Sequence, residues 1–217
     1  MSELRRRLMM QVESDHNALP SGCVRCEYLE STGTQWIDTG VVLKSTYGIE
    51  VEIAPMELSD VTEHGVFGSS NGFSHNVLQI HRTQDNTRKG VILYMPNEIP
   101  VYAKTYNTTG IKQHWGININ NEGKVYVDNI LSGETKPTSV VSYAVALFGR
   151  NVNGYVSTSQ LSKCRIYKFV IFESGKIIYS FIPILDQEGV PCMYDIVNKQ
   201  FHYNKGTGQF LYKILEQ

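Results

Sequence analysis

At 217 residues the chain is long enough to bury a core of its own and short enough to be one all-β domain. Its net charge of −1, from 20 basic and 21 acidic residues, excludes bulk electrostatic capture of nucleic acid or of an anionic membrane. With 41% hydrophobic residues, 19% charged residues and 13 tyrosines, it is neither disordered nor a coiled coil.

Residues 2–11 are predicted to form a short helix. Ser2 is its N-cap, Glu3 sits in the first turn, and Leu4 and Leu8 lie four apart on one face. So short a helix is marginal alone in water and needs a partner surface. Leu4, Arg5, Arg6, Leu8 and Met9 are therefore the expected anchor or oligomerisation element. The apolar stretch Leu8-Met9-Met10 is too short for a secretory signal, and no run approaches the roughly 18 residues that span a bilayer. Neither a signal peptide nor membrane insertion is expected. The polar stretch ESDHNALPSG then serves as a linker. The expected organisation is an anchor over residues 1–21 and a domain over residues 22–217.

From Tyr28 onward the hydrophobic period is close to two. Ile49, Val51 and Ile53 share one strand face, with Glu50 and Glu52 on the other. Leu78 and Ile80 oppose His75, Gln79 and His81. Residues 90–95 form another strand. Trp115 to Ile119 returns through Asn120 to Gly123 into Val125 and Val127, a β-hairpin. Residues 140–149 form a strand that ends at Gly149-Arg150-Asn151. Residues 163–172 are apolar on both faces and turn through Glu173 to Lys176 into residues 177–184. Trp36 and Trp115 fall in strand patterns and are expected in the core. Many short strands at close spacing indicate a two-sheet antiparallel sandwich or jelly roll.

The string EYLESTGTQWIDTG resembles the opening strands of concanavalin A-like (laminin G-like) jelly rolls of gut bacterial and phage proteins. Val66-Phe67-Gly68, the hairpin from His114-Trp115 to Val125-Tyr126-Val127-Asp128, Ala146 to Arg150, and the closing block to GTGQF follow the same pattern in order. Asn129 stands where that pattern usually has Gly. The resemblance covers about residues 22–212. It implies two curved sheets with adjacent terminal strands, and binding of glycans or protein surfaces by one face or the rim loops. SELRRRLMM is similar to the start of phage-encoded members.

Some members of that family hydrolyse glucans with alternating carboxylates on one strand. The closest string here, Glu50-Val51-Glu52, lacks the central Asp and the third acid, so no enzymatic activity is expected. Cys23-Val24-Arg25-Cys26 has no second pair at zinc-ribbon spacing. With Cys164 and Cys192 these are read as free thiols. No resident cofactor is expected. Related jelly rolls often bind calcium, for which Asp38 and Asp128, with Asn129, are the candidate ligands. Glycan recognition calls for aromatic platforms beside planar polar groups. The candidates are Phe73, Tyr94, Tyr102 and Tyr106, with Arg150, Asn151, Asn153 and Tyr155 in the loop 150–157.

The expected function is a non-catalytic, lectin-like recognition module. Its expected setting is a phage virion assembled in the host cytoplasm. There it is a homo-oligomeric structural protein that binds host or mucosal polysaccharide and joins other virion proteins through the N-terminal helix. The alternative is a bacterial carbohydrate-binding protein.

Overall fold

Alternating side chains give each strand two faces, and apolar faces are buried by stacking one sheet on another. The computed structural model describes residues 19–58, 63–72, 75–82, 89–94, 101–102, 109–118, 122–135 and 141–216 (backbone alone at 81, 82, 89 and 102). The expected helix and its anchor residues, Leu4, Arg5, Arg6, Leu8 and Met9, lie outside the described residues, as do Phe73 and Tyr106.

The strands run β1 (Val24–Glu30), β2 (Ile37–Val42), β3 (Tyr47–Pro55), β4 (His64–Ser70), β5 (His75–Arg82) and β6 (Lys89–Tyr94). Next come β7 (Val101–Tyr102), β8 (Gln113–Ile117), β9 (Lys124–Val127), β10 (Ile130–Glu134), β11 (Ala144–Leu147) and β12 (Asn151–Val152). The last are β13 (Tyr155–Val156), β14 (Cys164–Glu173), β15 (Lys176–Leu185), β16 (Pro191–Asp195), β17 (Gln200–His202) and β18 (Leu211–Ile214). The larger sheet has the order β10-β9-β8-β3-β14-β1-β15-β16-β17, with β18 beside β1. The smaller has β13-β12-β4-β5-β6-β7, with β11 pairing both β4 and β2. This is the antiparallel sandwich expected from the period-two pattern. Among the described strand pairs, β12 departs from antiparallel order and lies parallel to β4.

The predicted hairpins form. Trp115 pairs with Val127 and Ile117 with Val125. Glu173 pairs with Lys176 across Ser174 and Gly175, whose φ angles are 51° and 76°. A further hairpin, which the sequence did not mark, pairs Val127 with Ile130 across Asp128 and Asn129, at 49° and 70°. Positive φ at both central residues matches the right-handed twist of the flanking strands. Asn129 replaces a glycine because Asn tolerates this left-handed region better than most residues.

One core fills the space between the sheets. Trp115, Phe67, Phe148, Phe169 and Phe181 are all essentially buried. Phe67 of the smaller sheet meets Phe169 of the larger at 5.1 Å between ring centroids. A second cluster lies on the opposite side of the larger sheet. Ile182, Ile184, Cys192 and Tyr194 are covered there by Leu19, Cys23, Ile196 and Phe201. Strand β15 is therefore apolar on both faces, and Leu19, near the end of the expected linker, packs against it. Trp36 departs from expectation. It is half-buried against Ala146, Val156 and Leu161 rather than in the main core.

The chain ends meet. β18 pairs antiparallel with β1 from Cys26↔Ile214 to Glu30↔Leu211. Residues 204–208 close over residues 34–36. The Lys205 amide donates to the Trp36 carbonyl, and the Thr207 amide to that of Thr34. Asn204 Oδ1 accepts from the amides of Trp36 and Gly206. A Cβ on Gly206 would lie 2.0 Å from the Thr34 carbonyl oxygen, so only glycine fits.

Candidate functional site

The carboxylates of β3 lie on its outer face, in the alternation read from the sequence. Glu52 makes an ion pair with Lys112 and stands in register with Lys168 on one side and His114 on the other. Its charge is balanced, which favours an outer-face strut over a nucleophile. Arg165 continues this polar face. It binds Glu30 at 2.6 Å and lies 4.3 Å from the centre of the Tyr28 ring.

The two expected calcium ligands belong to different sheets. Asp38 Oδ1, on β2, accepts the Gly40 amide at 2.9 Å. Asp128 Oδ1, in the β9–β10 turn, accepts the His114 amide at 2.8 Å. Each carboxylate is taken up by a backbone amide, that of Asp38 locally within β2 and that of Asp128 across to β8. Among the described residues, no three His, Cys, Asp or Glu side chains are placed to share a metal ion. Burial pushes the Cys26 thiol up to about 11 and those of Cys164 and Cys192 up to about 12, so these three sulfurs are inert at neutral pH.

The remaining candidates gather at one end of the smaller sheet. The segment 150–157, read from sequence as a loop, is largely a hairpin. Asn151 pairs with Val156 and Val152 with Tyr155. Its two-residue turn is Asn153-Gly154, with φ of 54° and 86°. Asn-Gly is the strongest short-range hairpin signal, and it stood in the sequence. The Asn153 amide donates to the Ser70 carbonyl at 3.0 Å, which docks this turn beside the β4–β5 turn. A Cβ on Gly72 would approach Asn153 Nδ2 to 3.8 Å, and one on Gly154 the Tyr143 ring to 3.6 Å. Tyr155 stands out from this platform at 67% exposure. Tyr143, which the sequence did not mark, is half-buried beside it.

Arg150 and Asn151 support this end of the sheet. The Arg150 guanidinium donates to Glu63 at 2.9 Å and to Gln160 at 3.1 Å, with its side chain 13% exposed. It ties the turn of 3-10 helix Thr158–Gln160 to the start of β4. Asn151 donates through Nδ2 to the Ala144 carbonyl at 3.0 Å. Its Oδ1 is buried and has no partner among the described residues. Tyr94, half-buried, lies in the row Gly68–Val77–Tyr94, two rows from the row Ser70–His75. His75 Nδ1 and Ser70 Oγ are hydrogen-bonded at 2.8 Å. Burial first, and then the Arg150 charge, hold the imidazole below its ordinary range, against the opposing pull of Glu63. His75 is therefore neutral at physiological pH. The structure thus brings Arg150, Asn151 and Tyr155 together at one hairpin, and presents Tyr155 and Asn153 to solvent.

Compared by sequence, the chain matches no family model and no curated protein. Compared by structure, it is similar to a candidate carbohydrate-binding protein from Bacteroides ovatus ATCC 8483. The TM-score is 0.57 at 12% identity, over 89% of this chain and 61% of that one. It is also similar to the native heptameric SAP-like pentraxin of Limulus polyphemus. There the TM-score is 0.51 at 9% identity, over 88% of this chain and 94% of the pentraxin. At these identities the likeness is one of fold, that of a two-sheet antiparallel jelly-roll sandwich.

Proposed function

We propose that this chain is a non-catalytic carbohydrate-binding domain whose site is the hairpin end of the smaller sheet. The observation that carries the proposal is Tyr155, 67% exposed directly after a two-residue turn that is itself pinned to Ser70. A rigid exposed ring offers a sugar an apolar face at low entropic cost, and the neighbouring exposed Asn153 side chain supplies a planar hydrogen-bonding group. The carbohydrate-binding assignment of the Bacteroides ovatus neighbour supports the ligand class. The pairing of Glu52 with Lys112 supports a non-catalytic role.

A glycan array probed with the wild-type chain tests this reading, followed by titration of any hit. Tyr155→Ala is expected to weaken binding tenfold or more while leaving the fold intact. A wild-type chain that binds no glycan overturns the proposal, as does a Tyr155→Ala variant that binds equally well. The virion setting and the attachment through residues 1–21 rest on sequence alone. Co-sedimentation of the full chain with phage particles, lost in Leu4→Glu/Leu8→Glu, is their test.

A further inference from the structure

Strand β18 is exposed along its whole length. Leu211, Tyr212 and Ile214 are 52%, 43% and 47% exposed, and Lys213 between them is exposed as well. Among the described strands β18 pairs with β1 alone. A strand edge that carries three large apolar side chains and no proline is a template for another strand. The amide of Leu215 donates to the Arg25 carbonyl. Because backbone groups alternate in direction along a strand, those of Leu211 and Lys213 also turn toward β1, and those of Tyr212 and Ile214 turn to the open edge.

The segment Leu211-Tyr212-Lys213-Ile214-Leu215 reads alike from either end in character: apolar, apolar, Lys, apolar, apolar. An isologous contact demands this property, since residue i must suit j while j suits i. We infer that two copies of this chain pair antiparallel through β18, across a two-fold axis at Lys213. In that register Tyr212 faces Ile214 of the second copy, and the open backbone groups of these two residues form the new ladder. Leu211 faces Leu215. The two Lys213 ammonium groups oppose one another, but each already makes an ion pair with its own Glu27 at 2.8 Å. The centre of the interface is therefore a neutral quartet of two Lys and two Glu. This contact is separate from the hairpin end of the smaller sheet, so its failure would leave the proposed glycan site untouched.

Sedimentation of the full-length chain over a wide concentration range tests the inference. The wild type is expected to show a monomer–dimer equilibrium. Lys213→Glu places four carboxylates at the axis and is expected to weaken the dimer tenfold or more. The exchange Glu27→Lys/Lys213→Glu restores neutrality and is expected to recover it. Ile214→Lys is expected to give a monomer with unchanged circular dichroism. Leu4→Glu/Leu8→Glu is expected to leave the dimer as it was. A wild type that stays monomeric at every concentration overturns the inference. So does a dimer that survives Ile214→Lys, or one that Leu4→Glu/Leu8→Glu dissolves. The charge exchange separates loss of the contact from loss of the fold.

Discussion

Residues 204–208 and 151–155 are both short segments built on Asn and Gly, yet their polar groups face different partners. In the first, Asn204 Oδ1 takes two amides, Asn204 Nδ2 donates to the Gly208 carbonyl, and Thr34 Oγ1 donates to the Thr207 carbonyl. The turn is consumed by its contact with residues 34–36. In the second, Asn153 gives its backbone amide to Ser70, and its exposed side chain and the Tyr155 ring face solvent. Distinctive sequence therefore marks the clasp that closes the sandwich, whereas the surface offered to a ligand sits on an ordinary Asn-Gly hairpin. Residues that bond to one another are tightly specified by the fold and are thereby removed from recognition.

The sharpest way to break this contrast is Gly206→Ala. Its φ is not in the left-handed region, so the whole cost is the clash with the Thr34 carbonyl. A cost of about 3 kcal/mol is expected, seen as a fall of roughly 6–12 °C in thermal unfolding. Glycan binding by the folded fraction should be unchanged, because the clasp is not the site.

Asp186 offers the next largest effect. Burial raises its pKa, but the amides of Glu188 and Val190 and the Tyr203 hydroxyl all donate to its carboxylate, and the net shift is downward. A depressed folded pKa adds stability above the unfolded value of about 3.9, and that stability disappears as pH falls through the folded value. Asp186→Ala is expected to cost about 2 kcal/mol at neutral pH. Asp186→Asn should flatten the acid limb of a plot of unfolding temperature against pH.

Gly154→Ala tests the other turn. The added methyl meets the Tyr143 ring at ordinary contact distance, which leaves backbone strain at φ 86° as the cost. That strain is about 1–2 kcal/mol, a fall of a few degrees in thermal unfolding, and it should come with weaker glycan binding as the tip shifts. Tyr155→Ala is expected to change stability by no more than about 0.5 kcal/mol, because so exposed a ring packs against little. Thermal scans of the two variants side by side separate support of the hairpin from contact with the ligand.

Most of the strand pattern was legible before the structure. Ile49, Val51 and Ile53 share the core face, as period two required. Residues 163–172 are not buried on both sides throughout. Lys163 is exposed, Arg165 and Lys168 are half-buried on the polar outer face beside Glu30 and Glu52, and the second apolar cluster belongs to β15 and β16 instead. The candidate site was legible in part. Arg150, Asn151 and Tyr155 do lie together, but the pattern could not say that Arg150 is committed to Glu63 and Gln160. Those partners lie 87 and 10 residues away. Tyr143 carried no local signal and enters only because the β12–β13 turn folds back beside it.

The sequence by itself determined where the chain extends, which side chains alternate inward, and where Asn and Gly permit the turn geometry. These are local consequences of backbone sterics and of keeping apolar groups from water. Only the tertiary structure decided which of the placed aromatic rings is buried, half-buried or presented. Exposure depends on neighbours brought in from distant parts of the chain, so Trp115 vanishes into the core, Trp36 rests at its margin and Tyr155 meets the solvent.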